Sequence, residues 1–192
     1  MLKEIIKFKK CEYGDFEIPE FSINNSCMVR FWVQKPTISE NSYSVDQLMK
    51  FIKSELENKY DLTIQSFTIP FKKDFKYFFK SFRVVDFLND WNLKEDKKVF
   101  EIFGIKKQYK IEQLGHNNLK LLALMKLFSN KGTFIFDFYG VDPSGEENLT
   151  NYIESKLCEG KNILAFDDLN YKQDFSSNNK NTFHVVVKRK NL

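Results

Sequence analysis

The stretch from Ile111 to Leu169 constrains this chain more than any other feature. Leu119, Leu121, Leu122, Leu124, Met125, Leu127 and Phe128 crowd one segment with no internal Gly or Pro, which predicts an apolar helix over 119–128. Gly132 ends it. Thr133 to Phe138 is a short β-branched and aromatic run with an Asp at its end, Asn162 to Phe166 is another, and a helix-length polar segment separates them. Helix, buried strand, helix and buried strand in that order contain a βαβ unit, which calls for a parallel sheet.

Composition sets the outer bounds. With 192 residues, 42% hydrophobic and 16% aromatic, the chain can bury one substantial core, so a single α/β domain over 1–192 is expected. Its three cysteines, Cys11, Cys27 and Cys158, are odd in number and far apart. That pattern argues against a disulfide framework or a zinc knuckle and suits a reducing, cytoplasmic setting. No run approaches the ~20 apolar residues needed to span a bilayer, and the opening MLKEIIKFKK lacks a long apolar core and a cleavage site. The net charge of +4 is spread over 30 basic and 26 acidic residues. A dedicated nucleic-acid domain usually shows a basic stripe instead, so no nucleic-acid partner is expected.

Taken in order, Glu4 to Cys11 alternates as an antiparallel strand does, Tyr13-Gly14-Asp15 makes a turn, and Phe16 to Ile23 is a second strand interrupted by Pro19. Met28 to Val33 is a buried strand. Ser44 to Lys59 is a helix with Val45, Leu48, Met49, Ile52 and Leu56 on one face. No glycine occurs between Gly14 and Gly104, so residues 33–42 (VQKPTISENS) cannot wrap a phosphate with consecutive backbone N–H groups. Asp61 to Ile69 reads as a strand. Phe71, Phe75, Phe78, Phe79 and Phe82 then recur at helical spacing, with Lys72, Lys73, Lys76, Lys80 and Arg83 mostly opposite. Val99 to Ile105 reads as a helix ended by Gly104, Tyr171 to Asn181 as a polar loop, and Phe183 to Lys188 as a last strand.

At these residues the chain resembles an ATP-binding cassette (ABC) ATPase domain, chiefly its second half. Leu114, Gly115, His116, Asn117 and Asn118, followed by 119–128, resemble the signature loop and its helix. Thr133 to Asp137 resembles the Walker B strand, Tyr139-Gly140-Val141-Asp142 the D-loop, and Ile163 to Asp168 the switch-histidine strand. The resemblance implies an α/β, ABC-ATPase-like domain: a mixed central sheet, an antiparallel N-terminal β subdomain and a helical subdomain over 70–128. Tyr13 falls where that family often stacks an aromatic on adenine, though it is equally a turn aromatic. The Phe/Lys segment (Phe71, Phe75, Lys76, Phe78, Phe79, Phe82) is either an ordinary surface helix or, by resemblance, part of the surface that docks a membrane partner.

The resemblance also defines what is missing. Hydrolysis in that family needs a lysine-bearing phosphate loop, a metal-binding Asp, a carboxylate directly after it, a glycine-rich signature and a switch histidine. Here Asp137 holds the metal position, but Phe138 follows it, Asp167 or Asp168 stands at the switch position, and the phosphate loop and its glycines are absent. The asparagines at 117 and 118 retain donors that could reach a phosphate on a partner. His116 and His184 have no Cys or carboxylate set at metal spacing, and Glu147 and Glu154 suit a solvated face. The implied protein is a catalytically degenerate subunit with no cofactor of its own, ATP and Mg²⁺ being held mainly by a partner. Its implied partners are an active ABC ATPase subunit, as a heterodimer, and a membrane permease. Its implied place is peripheral, on the cytoplasmic membrane face, in a setting such as peptide or antimicrobial export or immunity. Two rivals stand beside it: an active noncanonical hydrolase using Asp137, and a soluble basic and aromatic module for a membrane surface or nucleic acid.

Overall fold

The computed structural model describes residues 6–34, 44–69, 81–157, 161–169 and 181–190. Most of the phosphate-loop position (35–43), Phe71, Phe75, Lys76, Phe78 and Phe79, and most of the polar loop before the last strand lie outside the described residues. The chain divides into two compact units, one of residues 1–66, 131–139 and 156–192, the other of 67–130 and 140–155.

Among the described residues, the strands all lie in the first unit. A seven-stranded sheet is ordered β2 (Cys11–Tyr13), β3 (Phe16–Ile18), β9 (Thr182–Arg189), β5 (Met28–Val33), β8 (Lys161–Asp168), β7 (Gly132–Asp137) and β6 (Ile64–Gln65). From β9 to β6 all neighbours are parallel, while β2 and β3 add antiparallel at one edge. A separate antiparallel pair joins β1 (Ile6–Phe8) to β4 (Phe21–Ile23). Because side chains alternate along a strand, Val29, Phe31 and Val33 of β5 share a face with Leu164 and Phe166 of β8 and with Val185 and Val187 of β9. Leu48, Ile52 and Leu56 of helix α1 (Val45–Tyr60) belong to the same core cluster. Phe31 stacks on Phe166 at 4.5 Å and meets Phe21 edge-on at 4.9 Å. Helix α1 starts at a capping box in which Ser44 Oγ accepts from Gln47 N and Gln47 Oε1 accepts from Ser44 N.

Several sequence expectations change here. Of the strand expected over 4–11, Ile6–Phe8 forms β1 and Cys11 opens β2, in a different sheet, while residues 4–5 lie outside the described residues. The one expected over 16–23 is likewise two, β3 and β4, because Pro19 has no N–H to continue a ladder. Tyr13 ends β2 rather than lying in the turn, which is the two-residue Gly14-Asp15 connection with Gly14 at φ 58°. The strand expected over 61–69 shrinks to Ile64–Gln65 at the sheet edge, where Ile64 N donates to the Glu57 side chain.

The second unit is helical. It holds α2 (Val84–Asp90), α3 (Lys97–Ile102), a 3-10 turn at Ile111–Gln113, α4 (His116–Phe128) and most of α5 (Pro143–Leu157). Helix α2 has no counterpart in the sequence reading. It starts where the Asp86 carboxylate accepts from Arg83 N at 2.9 Å. Phe82, expected on the face of an amphipathic helix, lies instead in the extended residues before α2. Its carbonyl accepts from Ile111 N, its ring tilts against Phe87, and Arg83 bridges Lys110. Helix α3 spans 97–102 rather than 99–105 and ends in a Schellman motif. Gly104 sits at φ 62°, Gly104 N donates to Glu101 O, and Ile105 N donates to Phe100 O. Within this unit Phe128 of α4 meets Tyr152 of α5 at 6.0 Å, and Lys126 Nζ sits 4.4 Å over the Trp91 ring.

Candidate functional site

In a parallel sheet, chemistry gathers at the carboxyl ends of the strands. In the first unit these ends are Val33, Asp137 and Asp168, the termini of β5, β7 and β8. Asp137 is half-exposed, and its Oδ1 accepts from Tyr139 N at 3.1 Å, closing a tight turn. Phe138, which follows it, is not solvent-facing. The residue is 2% exposed, its N–H donates to Phe166 O, and its ring stands edge-on to Phe136 at 5.2 Å. The Arg30 guanidinium lies 4.5 Å from the Phe138 ring on one side and 4.2 Å from the Trp32 ring on another.

Arg30 is the residue that the sequence reading passed over. It occupies the middle of a strand that is buried throughout and is itself 6% exposed. Its Nη2 contacts Asp167 Oδ2 at 2.5 Å, and Asp167 Oδ1 accepts from Asp168 N. The register explains the pairing, since Arg30 lies opposite Ala165 and Asp167 opposite Trp32, so Arg30 and Asp167 are diagonal neighbours on one face. Asp167, one of the two aspartates at the switch position, thus has its charge balanced from within the same sheet. The available signal was an arginine inside an otherwise apolar strand, which requires a buried partner. Beside it, Trp32 Nε1 donates to His184 Nδ1 at 2.9 Å, which fixes the acceptor role on that nitrogen.

At the mouth of β5, Gln34 is held by the last strand. Its Oε1 accepts from Arg189 N, and its carbonyl accepts from Arg189 Nε. Arg189 also pairs with Asp15 and lies 4.4 Å over Phe16, tying the hairpin turn to the start of the phosphate-loop position. Tyr13 stacks flat on Phe51 of α1 at 4.1 Å and 10°, so one face of the proposed adenine platform is already covered.

The second unit brings two other predicted pieces together. His116, Asn117 and Asn118 form the first turn of α4 with Gly115 as its N-cap, so the helix begins three residues before the expected Leu119. Leu114 is buried. The Asn117 side-chain amide is engaged through both its nitrogen and its oxygen. Its Nδ2 donates to Asp142 Oδ2 at 2.7 Å, and its Oδ1 accepts from Asp142 N. Asp142 in turn caps α5, its Oδ1 accepting from Gly145 N ahead of a proline at the first helical position. The bonds from Gly145 N–H and then Asn117 hold the Asp142 carboxyl below the usual range. A Cβ on Gly140 would lie 2.4 Å from His116 Nδ1, and one on Gly145 would lie 2.2 Å from Asn117. The signature-like turn and the D-loop-like turn, Gly140, Val141 and Asp142, are therefore interlocked through glycine contacts.

Among the described residues, no group of three or more His, Cys, Asp or Glu side chains is arranged to hold a metal. The position after Asp137 is a buried ring rather than a group that can orient water.

The architecture is that of ABC-transporter ATP-binding cassettes. No family model matches the chain, and no curated protein matches it. Solved structures do. An ATP-binding cassette of an ABC transporter in its ADP conformation aligns with TM-score 0.51 at 15% identity, covering 88% of this chain and 82% of that one. A protein from Pyrococcus furiosus described as an ABC-transporter ATP-binding protein aligns with TM-score 0.53 at 13% identity, covering 92% and 94%. At these identities the likeness establishes the fold. Among the described residues, no helix is long and apolar enough to cross a membrane.

Proposed function

We propose that this protein is a catalytically degenerate nucleotide-binding-domain-like subunit. In this reading it serves as a structural or regulatory partner of an active ABC ATPase subunit on a membrane permease, in peptide or antimicrobial export or immunity. The observation that carries the reading is Phe138. Directly after the Walker B-like Asp137, where a carboxylate would have to orient the attacking water, stands a phenylalanine ring packed under Arg30 and excluded from solvent. Two further facts support it. Asp167, at the switch position, is the counter-ion of Arg30, and the phosphate-loop position has no glycine.

In the assembled pair, the partner's phosphate loop holds ATP and Mg²⁺ and presents them to the signature-like turn, Leu114 to Asn118, of this chain. The Asp142–Asn117 clamp supports that turn, and donation to the phosphate falls to the helix backbone, His116 and Asn118. Attachment to the membrane is peripheral, through the permease, with the Phe71–Phe82 segment as the docking element.

Calorimetry with Mg-ATP on the purified chain, alone and with the ATPase subunit that copurifies from its host, tests this reading. The expected result is no binding alone and nucleotide-dependent association with the partner. Tight binding by the isolated chain, with turnover abolished by Asp137→Ala, would establish the noncanonical hydrolase instead.

A further inference from the structure

The strand-end cluster of the first unit has a property that loss of catalysis by itself does not require, which is that a buried cation and a carboxylate are paired inside it. Arg30 is nearly fully buried, contacts Asp167 at 2.5 Å, and has aromatic rings at 4.2 and 4.5 Å. Three parallel strands contribute to the stack: β5 through Arg30 and Trp32, the end of β7 through Phe138, and β8 through Asp167. A fourth, β9, joins through His184 and Trp32. Here a covalently fixed cation is already in place.

We propose that Arg30 is an internal counter-cation that locks the switch-position strand. It holds Asp167 and Phe138 in one arrangement whatever nucleotide the partner carries, so that this subunit acts as a rigid half of the pair. The proposal rests on the degenerate-subunit reading and adds to it a positioning residue and a mechanical consequence. The physical basis is the asymmetry of buried ion pairs. Removing one partner strands the other charge in an apolar environment, whereas replacing both by apolar groups of similar volume is close to neutral. A guanidinium stacked between rings is also not interchangeable with an ammonium, so lysine should rescue only in part.

The test is a double-mutant cycle on the full chain, using Arg30→Met, Asp167→Leu and the double variant, with Asp167→Asn and Arg30→Lys as milder variants. Each charge-removing single variant should lower Tm by roughly 6–20 °C. The double variant should recover most of that loss, with a coupling of at least about tenfold in the unfolding equilibrium constant. Amide exchange should show residues 161–168 losing protection in Asp167→Asn while residues 45–60 of α1 keep theirs. Wild-type exchange at 161–168 should not change when the partner is loaded with Mg-ATP. Additive single effects, or nucleotide-dependent exchange at 161–168 in the wild-type complex, would overturn the lock. If the single variants fail to fold, exchange in the wild-type complex and in Arg30→Lys still decides the question. Tight Mg-ATP binding by the isolated wild-type chain would instead sink the degenerate-subunit reading, and that outcome is separate from the result of the cycle.

Discussion

Replacing Phe138 by alanine tests whether the position after Asp137 is closed to water. The ring is 2% exposed, stands at 89° to Phe136 with centroids 5.2 Å apart, and lies 4.5 Å from the Arg30 guanidinium. Truncating a buried phenylalanine costs about 3–5 kcal/mol. The edge-on ring pair accounts for about 0.5–1.5 kcal/mol of this and the desolvated cation–π contact for up to about 2, which places Phe138→Ala near the top of the range, at about 4–5 kcal/mol. Leucine keeps most of the volume and loses the ring contacts, so Phe138→Leu should cost about 1–2 kcal/mol. The assay is urea unfolding followed by tryptophan fluorescence in a Trp91→Phe background. There Trp32, which shares the Arg30 stack with Phe138, reports on the sheet unit alone. A loss below about 1 kcal/mol for the alanine variant would refute the reasoning. It would mean that the 138 side chain is solvent-accessible and that the neighbourhood of Asp137 can admit the water an active hydrolase needs.

Further expectations follow from other parts of the molecule. Phe138→Glu supplies the missing carboxylate but not the phosphate loop, so ATP turnover by the isolated chain should stay at background in a coupled assay, and measurable turnover would contradict the reading that residues 33–42 cannot hold a phosphate. Asp142 has its carboxyl pKa lowered from 3.8 by Gly145 N–H and Asn117. Its contribution to stability is therefore present above the unfolded-state value and lost as pH falls through the lower, folded one. Acid titration of Tm should show an Asp142→Asn variant differing from the parent at neutral pH and converging with it below pH 3.8. Ser44→Ala removes the acceptor for Gln47 N at the start of α1 and should cost about 1 kcal/mol in thermal unfolding. Gly104→Ala places a Cβ at φ 62°, with nothing within 4 Å to strike. Its cost should be the conformational one alone, about 1 kcal/mol, and a much larger loss would mean that the Schellman turn makes contacts beyond its own helix.

The parts of the fold that were legible in the sequence are those written in local patterns. Leu48, Ile52 and Leu56 recur at helical spacing and form the buried stripe of α1. The apolar run after Gly115 is α4, and the β-branched and aromatic runs at 133–138 and 162–166 are β7 and β8 within a residue or a few. Gly104 marked a helix end because left-handed backbone at that position favours glycine. The N-terminal strands were legible as strands but not as members of two sheets. Alternation shows that a segment is extended and does not show which neighbour it pairs with. Helix α2 went unread because its opening bond, Asp86 to Arg83 N–H, lacks the Ser, Thr, Asn or Asp that usually announces a cap.

For the candidate site the division is sharper. The sequence alone determined that no glycine-rich loop follows β5, that Phe138 follows Asp137, and that a Gly-Val-Asp-Pro turn opens α5. These are facts of residue identity that no folding could alter. Only the tertiary structure decided what the charged residues do. It gave Asp167 to Arg30, 137 positions away, and Asn117 to Asp142, 25 positions away. Burial leaves Arg30 and Asp167 little solvent and makes a partner compulsory for each, whereas Asp142 is exposed and pairs as a helix cap; in both cases the partner is selected by sheet register or helix packing, which bring distant residues together and leave no periodicity in the chain.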